Sequence, residues 1–156
     1  MTDDSTVPAP AQRLAPARVA PEFHRALLGL SRTAQAGLAD PVVAELVNFR
    51  ASQLNGCAYC LDAHARDARA KGEAEHRLHA LSAWRETPFF TARERAALAL
   101  TEAVTLVADT HVPDAAYDDA AKHFSETELA HLIGLIAAIN ALNRVGVATR
   151  MSPAPR

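Results

Sequence analysis

A chain of 156 residues that is 49% hydrophobic, 22% charged and only 5% aromatic can bury about two-thirds of its unfolded surface as one domain, and its profile excludes a disordered or fibrous protein. The net charge of −2 comes without a basic run, which leaves nucleic acid no electrostatic footprint. The most apolar run, Leu132 to Leu142, is shorter than the roughly 18 residues a bilayer-spanning helix needs, so no membrane partner is expected.

The start, with Asp3 and Asp4 and no apolar h-region after them, does not resemble a secretory signal, and a cytoplasmic location is expected. Pro8, Pro10, Pro16 and Pro21 punctuate the next stretch of chain. Residues 1–20 therefore read as a mobile or extended arm without a core of its own. Helical periodicity begins at Phe23, with Phe23, Ala26, Leu27 and Leu30 on one face and Gly37 as the stop. Asp40-Pro41 then starts a helix carrying Val42, Leu46, Phe49 and Gln53.

Asn55-Gly56 breaks that helix, and the next one opens at Cys57-Ala-Tyr-Cys60 and runs to about Lys71-Gly72. A further helix is predicted from Glu73 to about Glu86, closed by Thr87-Pro88. Thr91-x-x-Glu94 and Ser125-x-x-Glu128 are capping boxes. The first heads a helix through Leu98, Thr101, Val104 and Ala108; the second heads one through Leu129, Leu132, Ile133, Ile136 and Ile139. A shorter helix from about Asp114 to His123 lies between them. The fold class is all-α, a single-domain bundle of about seven helices over residues 21–146, with residues 147–156 as a tail. The last helix is apolar around most of its circumference, as either a subunit interface or a central core position requires.

The chemistry concentrates around the two cysteines. Cys57 and Cys60 stand in the first turn of a helix with Cα atoms about 5 Å apart, within disulfide range. The helix N-terminus favours thiolate there, and His64 follows Cys60 by one turn on the same face. Acidity alone is a weak catalyst. Lowering a thiol pKa by about two units raises the thiolate fraction roughly 25-fold, but nucleophilicity falls with it and the net gain is only several-fold. Peroxide reduction also needs a proton for the departing oxygen, a contribution of about 10²- to 10⁴-fold, and His64 is placed to deliver it. Glu45, ten residues before the break on an antiparallel neighbour, reaches the height of His64 and is the candidate carboxylate to orient it.

Zinc is the rival, since Cys57, Cys60, His64 and Glu45 offer a full set of donors. A structural zinc, however, usually takes two paired motifs, and only one is present. Haem attachment needs His directly after the second Cys, where Leu61 stands, and a thioredoxin motif needs a preceding strand.

Glu45, eleven residues, Cys57-Ala-Tyr-Cys60, three residues and His64, within the string Arg50 to His64, resemble the alkylhydroperoxidase D-like family of the carboxymuconolactone decarboxylase superfamily. The likeness continues in Ala83-Trp84-Arg85-Glu86, Phe90 to Arg95 and Asn140-Ala-Leu-Asn-Arg144. The resemblance implies an all-helical homotrimer or homohexamer engaged in antioxidant defence. It implies that Cys60 attacks a hydroperoxide and that Cys57 resolves the sulfenic acid to a disulfide. His64 and Glu45 would relay protons, and an external dithiol, on a lipoylated or thioredoxin-like protein, would serve as reductant with no bound cofactor. Tyr59 stands where the best-known peroxidases carry a second histidine, which points to the broader peroxidase-related branch, and Leu142 replaces a frequent Trp. Tyr59, Trp84, Phe89 and Phe90 are candidates to line the substrate pocket. The alternatives are a disulfide reductase or redox sensor, a zinc-binding module and a lactone decarboxylase, whose relatives generally lack the paired cysteines.

Overall fold

The computed structural model describes residues 7–154, and among these all regular structure is helical. The acidic start at Asp3 and Asp4 lies outside the described residues. The order is α1 (Pro16–Val19), α2 (Pro21–Ala36), α3 (Pro41–Asn55), α4 (Ala58–Ala70), α5 (Glu75–Ala80), a 3-10 segment (Leu81–Glu86), α6 (Ala92–Thr105), α7 (Val107–Thr110), α8 (Asp114–His123) and α9 (Glu126–Thr149).

The helix starts follow the local chemistry. Asp40 accepts the Val42 N–H at 2.8 Å to cap α3, and both Thr91–Glu94 and Ser125–Glu128 close reciprocal capping boxes. α9 forms the axis. Its Leu129, Leu132, Leu135 and Ile136 join Val43, Ala44 and Val47 of α3 and Ala97 and Leu100 of α6 in one buried cluster. By length and composition α9 could cross a membrane, yet half of its most apolar 18-residue window is buried inside this protein. A core position accounts for the buried half of its apolar surface.

Several elements depart from the sequence expectation. Residues 73–86 do not form one helix, because Ala83 leaves the helical region (φ −118°, ψ 31°). The α6 helix stops at Thr105, with Leu106 (φ −99°, ψ 33°) separating it from the short α7. The arm is not wholly free: Arg13 donates its backbone N–H to Thr149 at 2.9 Å, and Pro16 begins the helical turn α1 with its side chain buried. At the other end α9 continues to Thr149, beyond the expected boundary at residue 146.

The α2 face is also corrected. Phe23 and Leu30 are 54% and 50% exposed, whereas the buried residues of α2 are Ser31 and Ala34. Small side chains allow α2 to approach α9 closely, with Ala34 Cβ 3.8 Å from where a Cβ on Gly134 would stand. Phe23 and Leu30 consequently face outward on the single protomer, while Leu27 and Leu28 are partly buried.

Candidate redox site

Polar side chains lock the base of the site before any sulfur is considered. The Asn55 amide donates at 3.0 Å to the side-chain oxygens of both Asn140 and Asn143. Asn143 in turn donates to Ser52 Oγ and Asn140 to Thr105 Oγ1, each at 3.0 Å. This buried network ties the end of α3 to α6 and α9. It fixes the level at which the chain turns at Gly56, whose left-handed φ of 65° suits glycine.

The turn delivers Cys57 as the cap of α4, with its Sγ accepting the Cys60 N–H at 3.4 Å. Cys57 and Cys60 are joined as a disulfide, with Cα atoms 5.3 Å apart. The cysteines are 1% and 6% exposed. The helix N-terminus therefore acts chiefly on Cys57, and the imidazole lies on the Cys60 side. α9 meets the pair at Gly146, where a Cβ would stand 2.9 Å from Cys57 Sγ and 3.7 Å from Cys60 Sγ. Only a residue without a side chain fits that approach.

His64 Nδ1 lies 2.8 Å from Glu45 Oε2, and the Glu45 side chain is only 2% exposed. An ionised carboxylate only accepts, so Nδ1 carries the proton and Nε2 is left to take up or deliver one. The other oxygen, Glu45 Oε1, receives the ammonium of Lys71. Burial is the largest influence on Glu45 and pushes its carboxyl up. The hydrogen bonds and charges of His64 and Lys71 together outweigh it and hold the carboxyl below its ordinary 4.5.

His64 and Cys60 make no direct hydrogen bond but share the wall of a cavity of about 80 Å³, completed by His24, Tyr59, Ala63, Ile139, Leu142, Val145 and Met151. The space suffices for a few waters or the –OOH end of a peroxide. Its wall is otherwise largely apolar. On the other side Cys57 borders a more open groove of about 270 Å³, flanked by Ala9 and Pro10 of the arm and by Gly146 and Arg150.

The sequence thus placed Glu45, Cys57, Cys60 and His64 in one cluster, and the structure brings them together. Of the aromatic pocket candidates, only Tyr59 lines the Cys60 cavity. Trp84 and Phe90 are instead buried with Leu46, Leu81 and Leu98, Trp84 donating its Nε1–H to Glu102 at 2.9 Å. Phe89 lies on the surface, edge to face with His76. The reason is topological: the break at Leu81–Glu86 turns these aromatics towards α3 and α6, away from α4.

Sequence reasoning missed His24, Lys71 and the α9 wall. Lys71 carried a signal, standing seven residues after His64 and so on the same helical face. His24 carried none, since only the packing of α2 brings it to the cavity. Glu45, His64 and Asp67 also bring ligand-type atoms within 4.8 Å of one another. Any cation there would have to displace the Lys71 ammonium from Glu45, and both cysteines are committed to each other. That arrangement does not favour the zinc reading.

An all-helical protein with a dithiol backed by a His–Glu pair defines a class, and comparison with known proteins gives it a family. The model of the carboxymuconolactone decarboxylase family matches residues 21–103, and the chain belongs to that family. It is 36% identical over 137 residues to the uncharacterized protein YdfG of Bacillus subtilis strain 168, covering 88% of this chain and 93% of that one. Among solved structures it matches ATU0492 of Agrobacterium tumefaciens, a protein of unknown function described as a candidate antioxidant defence protein AhpD. The TM-score is 0.89 at 36% identity, over 93% of this chain and 100% of that one. An uncharacterized peroxidase-related protein from Silicibacter sp. TM1040 shares the fold, with a TM-score of 0.75 at 23% identity over 86% and 71% of the two chains.

Proposed function

We propose that this protein is a thiol-dependent peroxidase acting in antioxidant defence in the cytoplasm. The observation that carries the proposal is His64, which shares the cavity wall with Cys60 and is held from behind by Glu45 at 2.8 Å. In the reduced protein His64 Nε2 takes the Cys60 proton, and the thiolate attacks the outer oxygen of a hydroperoxide. The O–O bond breaks, and His64 returns the proton to the departing alkoxide, giving an alcohol and a Cys60 sulfenic acid. Glu45 stabilises the imidazolium while it exists.

Cys57, whose sulfur sits at the N-terminus of α4, is favoured as thiolate there. It attacks the Cys60 sulfenic sulfur, the S–O bond breaks, the hydroxide leaves and takes a proton from solvent as water, and the disulfide forms. An external dithiol, carried by a lipoylated or thioredoxin-like protein, then reduces it, so no resident cofactor is needed. The largely apolar wall around Cys60 suits an organic hydroperoxide. A homotrimer or homohexamer would cover the half-exposed Phe23 and Leu30.

A stoichiometric peroxide pulse followed by mass spectrometry tests this. The expected result is loss of two hydrogens per chain, mapped to Cys57–Cys60. Cys60→Ser should consume no peroxide, and Cys57→Ser should stop at a sulfenic acid that dimedone traps. Unchanged thiols, or full activity in Cys60→Ser, overturn the assignment.

A further inference from the structure

Lys71 ends α4, its backbone N–H accepted by the Asp67 and Ala68 carbonyls. Its side chain leaves the surface to meet Glu45, with 33% of the lysine side chain exposed against 2% of the glutamate's. A carboxylate that deep, with an imidazole as sole partner, has two ways to lower its energy. It can take a proton itself, or it can hold one on the imidazole. The first breaks the orientation of His64. The second keeps His64 charged and unable to accept the Cys60 proton. A cation on the opposite oxygen removes both pressures at once.

We propose that Lys71 is a positioning residue of the dithiol centre: by pairing with Glu45 Oε1 it keeps that carboxylate ionised and turned to His64, and lets the reduced Cys60–His64 pair release its first proton at lower pH. The proposal deepens the peroxidase assignment but rests only on Cys60 and His64 sharing a proton, which can be measured without peroxide.

The charges facing His64 are few. From α3 comes Glu45; from α4 come Cys60, Tyr59, Lys71 and Asp67; from α2 comes His24. α9 contributes only Ile139, Leu142 and Val145 to the shared cavity. Asp67 acts against Lys71, but it is exposed and solvent screens it. His24 is the other imidazole on the cavity wall, so it is removed in a control.

The test follows the rate at which iodoacetamide alkylates Cys60 in the fully reduced protein, across about pH 5 to 9. Wild type, Lys71→Gln and Lys71→Arg are compared, each also in a His24→Gln background. In Lys71→Gln the acid limb of the profile should move up by about half a unit to one unit, slowing alkylation below the limb about three- to ten-fold while the alkaline plateau is kept. Lys71→Arg should restore the wild-type limb, since it keeps the charge. A Lys71→Gln profile that matches wild type, or one lowered equally at every pH, overturns the proposal. So does a limb that Lys71→Arg fails to restore. If these profiles come out as expected but peroxide leaves the thiols unchanged, the peroxidase assignment fails and the role of Lys71 stands.

Discussion

Glu45 and Glu102 are both carboxylates drawn below the surface in cationic company, yet their partners differ in kind. Glu102 on α6 accepts from Arg50 Nε at 2.8 Å, Trp84 Nε1 at 2.9 Å and Arg85 Nη1 at 2.5 Å. Arg and Trp do not change protonation near neutral pH. The cluster can therefore only hold: it pins α3 and the 3-10 segment to α6, and Arg95 adds bonds to the carbonyls of Trp84, Arg85 and Thr87. Glu45 has one partner that keeps its charge and one, His64, that can lose it, beside a cavity ending at a sulfur. Glu45 is the more buried of the two, its side chain 2% exposed against 14% for Glu102, but the difference in what they can do lies in the partners. A carboxylate acts in chemistry when a neighbour can move a proton.

The largest expected effect tests the structural half. Glu102→Ala leaves Trp84 Nε1 without its acceptor and Arg50 with Gln53 alone, and breaking such a cluster costs about 3 kcal/mol. For a chain of this size that lowers Tm by about 10 °C. The rate of disulfide formation after a peroxide pulse should stay near wild type below the melting range. A variant that melts normally but oxidises slowly would erase the distinction between the two carboxylates.

Glu45→Gln inverts the pattern. Disulfide formation should slow about 10- to 100-fold, while Tm moves little because Lys71 can turn to solvent. Calorimetry and stopped-flow oxidation on the same preparation separate the two readouts. Comparable losses in both would make Glu45 a second structural clamp.

Gly146→Ala leaves both carboxylates intact and perturbs the sulfurs. The added Cβ would stand 2.9 Å from Cys57 Sγ, so either α9 or the start of α4 must shift, at a cost of about 1–2 kcal/mol. The reduced and oxidised proteins should both melt lower than their wild-type counterparts, and the pH dependence of alkylation should be unchanged. An unaltered Tm would show that the close approach is easily relieved.

The pairing of Glu45 with His64 was legible because it is a local matter: two helices joined at Asn55-Gly56 set opposing positions by counting turns. Capping boxes were legible for the same reason. What escaped depends on contacts that spacing does not encode. Periodicity found an apolar face on α2, but the small residues Ser31 and Ala34 decide which face meets α9. Trp84 and Phe90 are aromatic enough for a pocket or a core, and the break at Leu81–Glu86 turns both into the core with Leu46, Leu81 and Leu98, where Glu102, eighteen residues after Trp84, accepts the indole N–H. Asn140 and Asn143 stood out as family markers, and their work as ties between α3, α6 and α9 needed the tertiary structure.

The smallest effect is in acid, and it sharpens the comparison at its origin. Burial pushes the Glu102 carboxyl up, but Arg85, Trp84 and Arg50 outweigh it, so both carboxyls stand below their ordinary 4.5. A carboxyl depressed by folding contributes stability that is fully present above its unfolded value and is lost as pH falls through its folded one. Tm should therefore decline as pH drops below about 4.5, and each Glu→Gln substitution should flatten part of that decline. The two shares differ in origin. The Glu102 share depends on arginines that stay charged at every accessible pH. Part of the Glu45 share depends on a protonated His64, so His64→Gln should reduce it and leave the Glu102 share untouched. An acid limb of Tm that ignores both Glu45→Gln and His64→Gln would place Glu45 in contact with solvent in solution, and the proton relay with it.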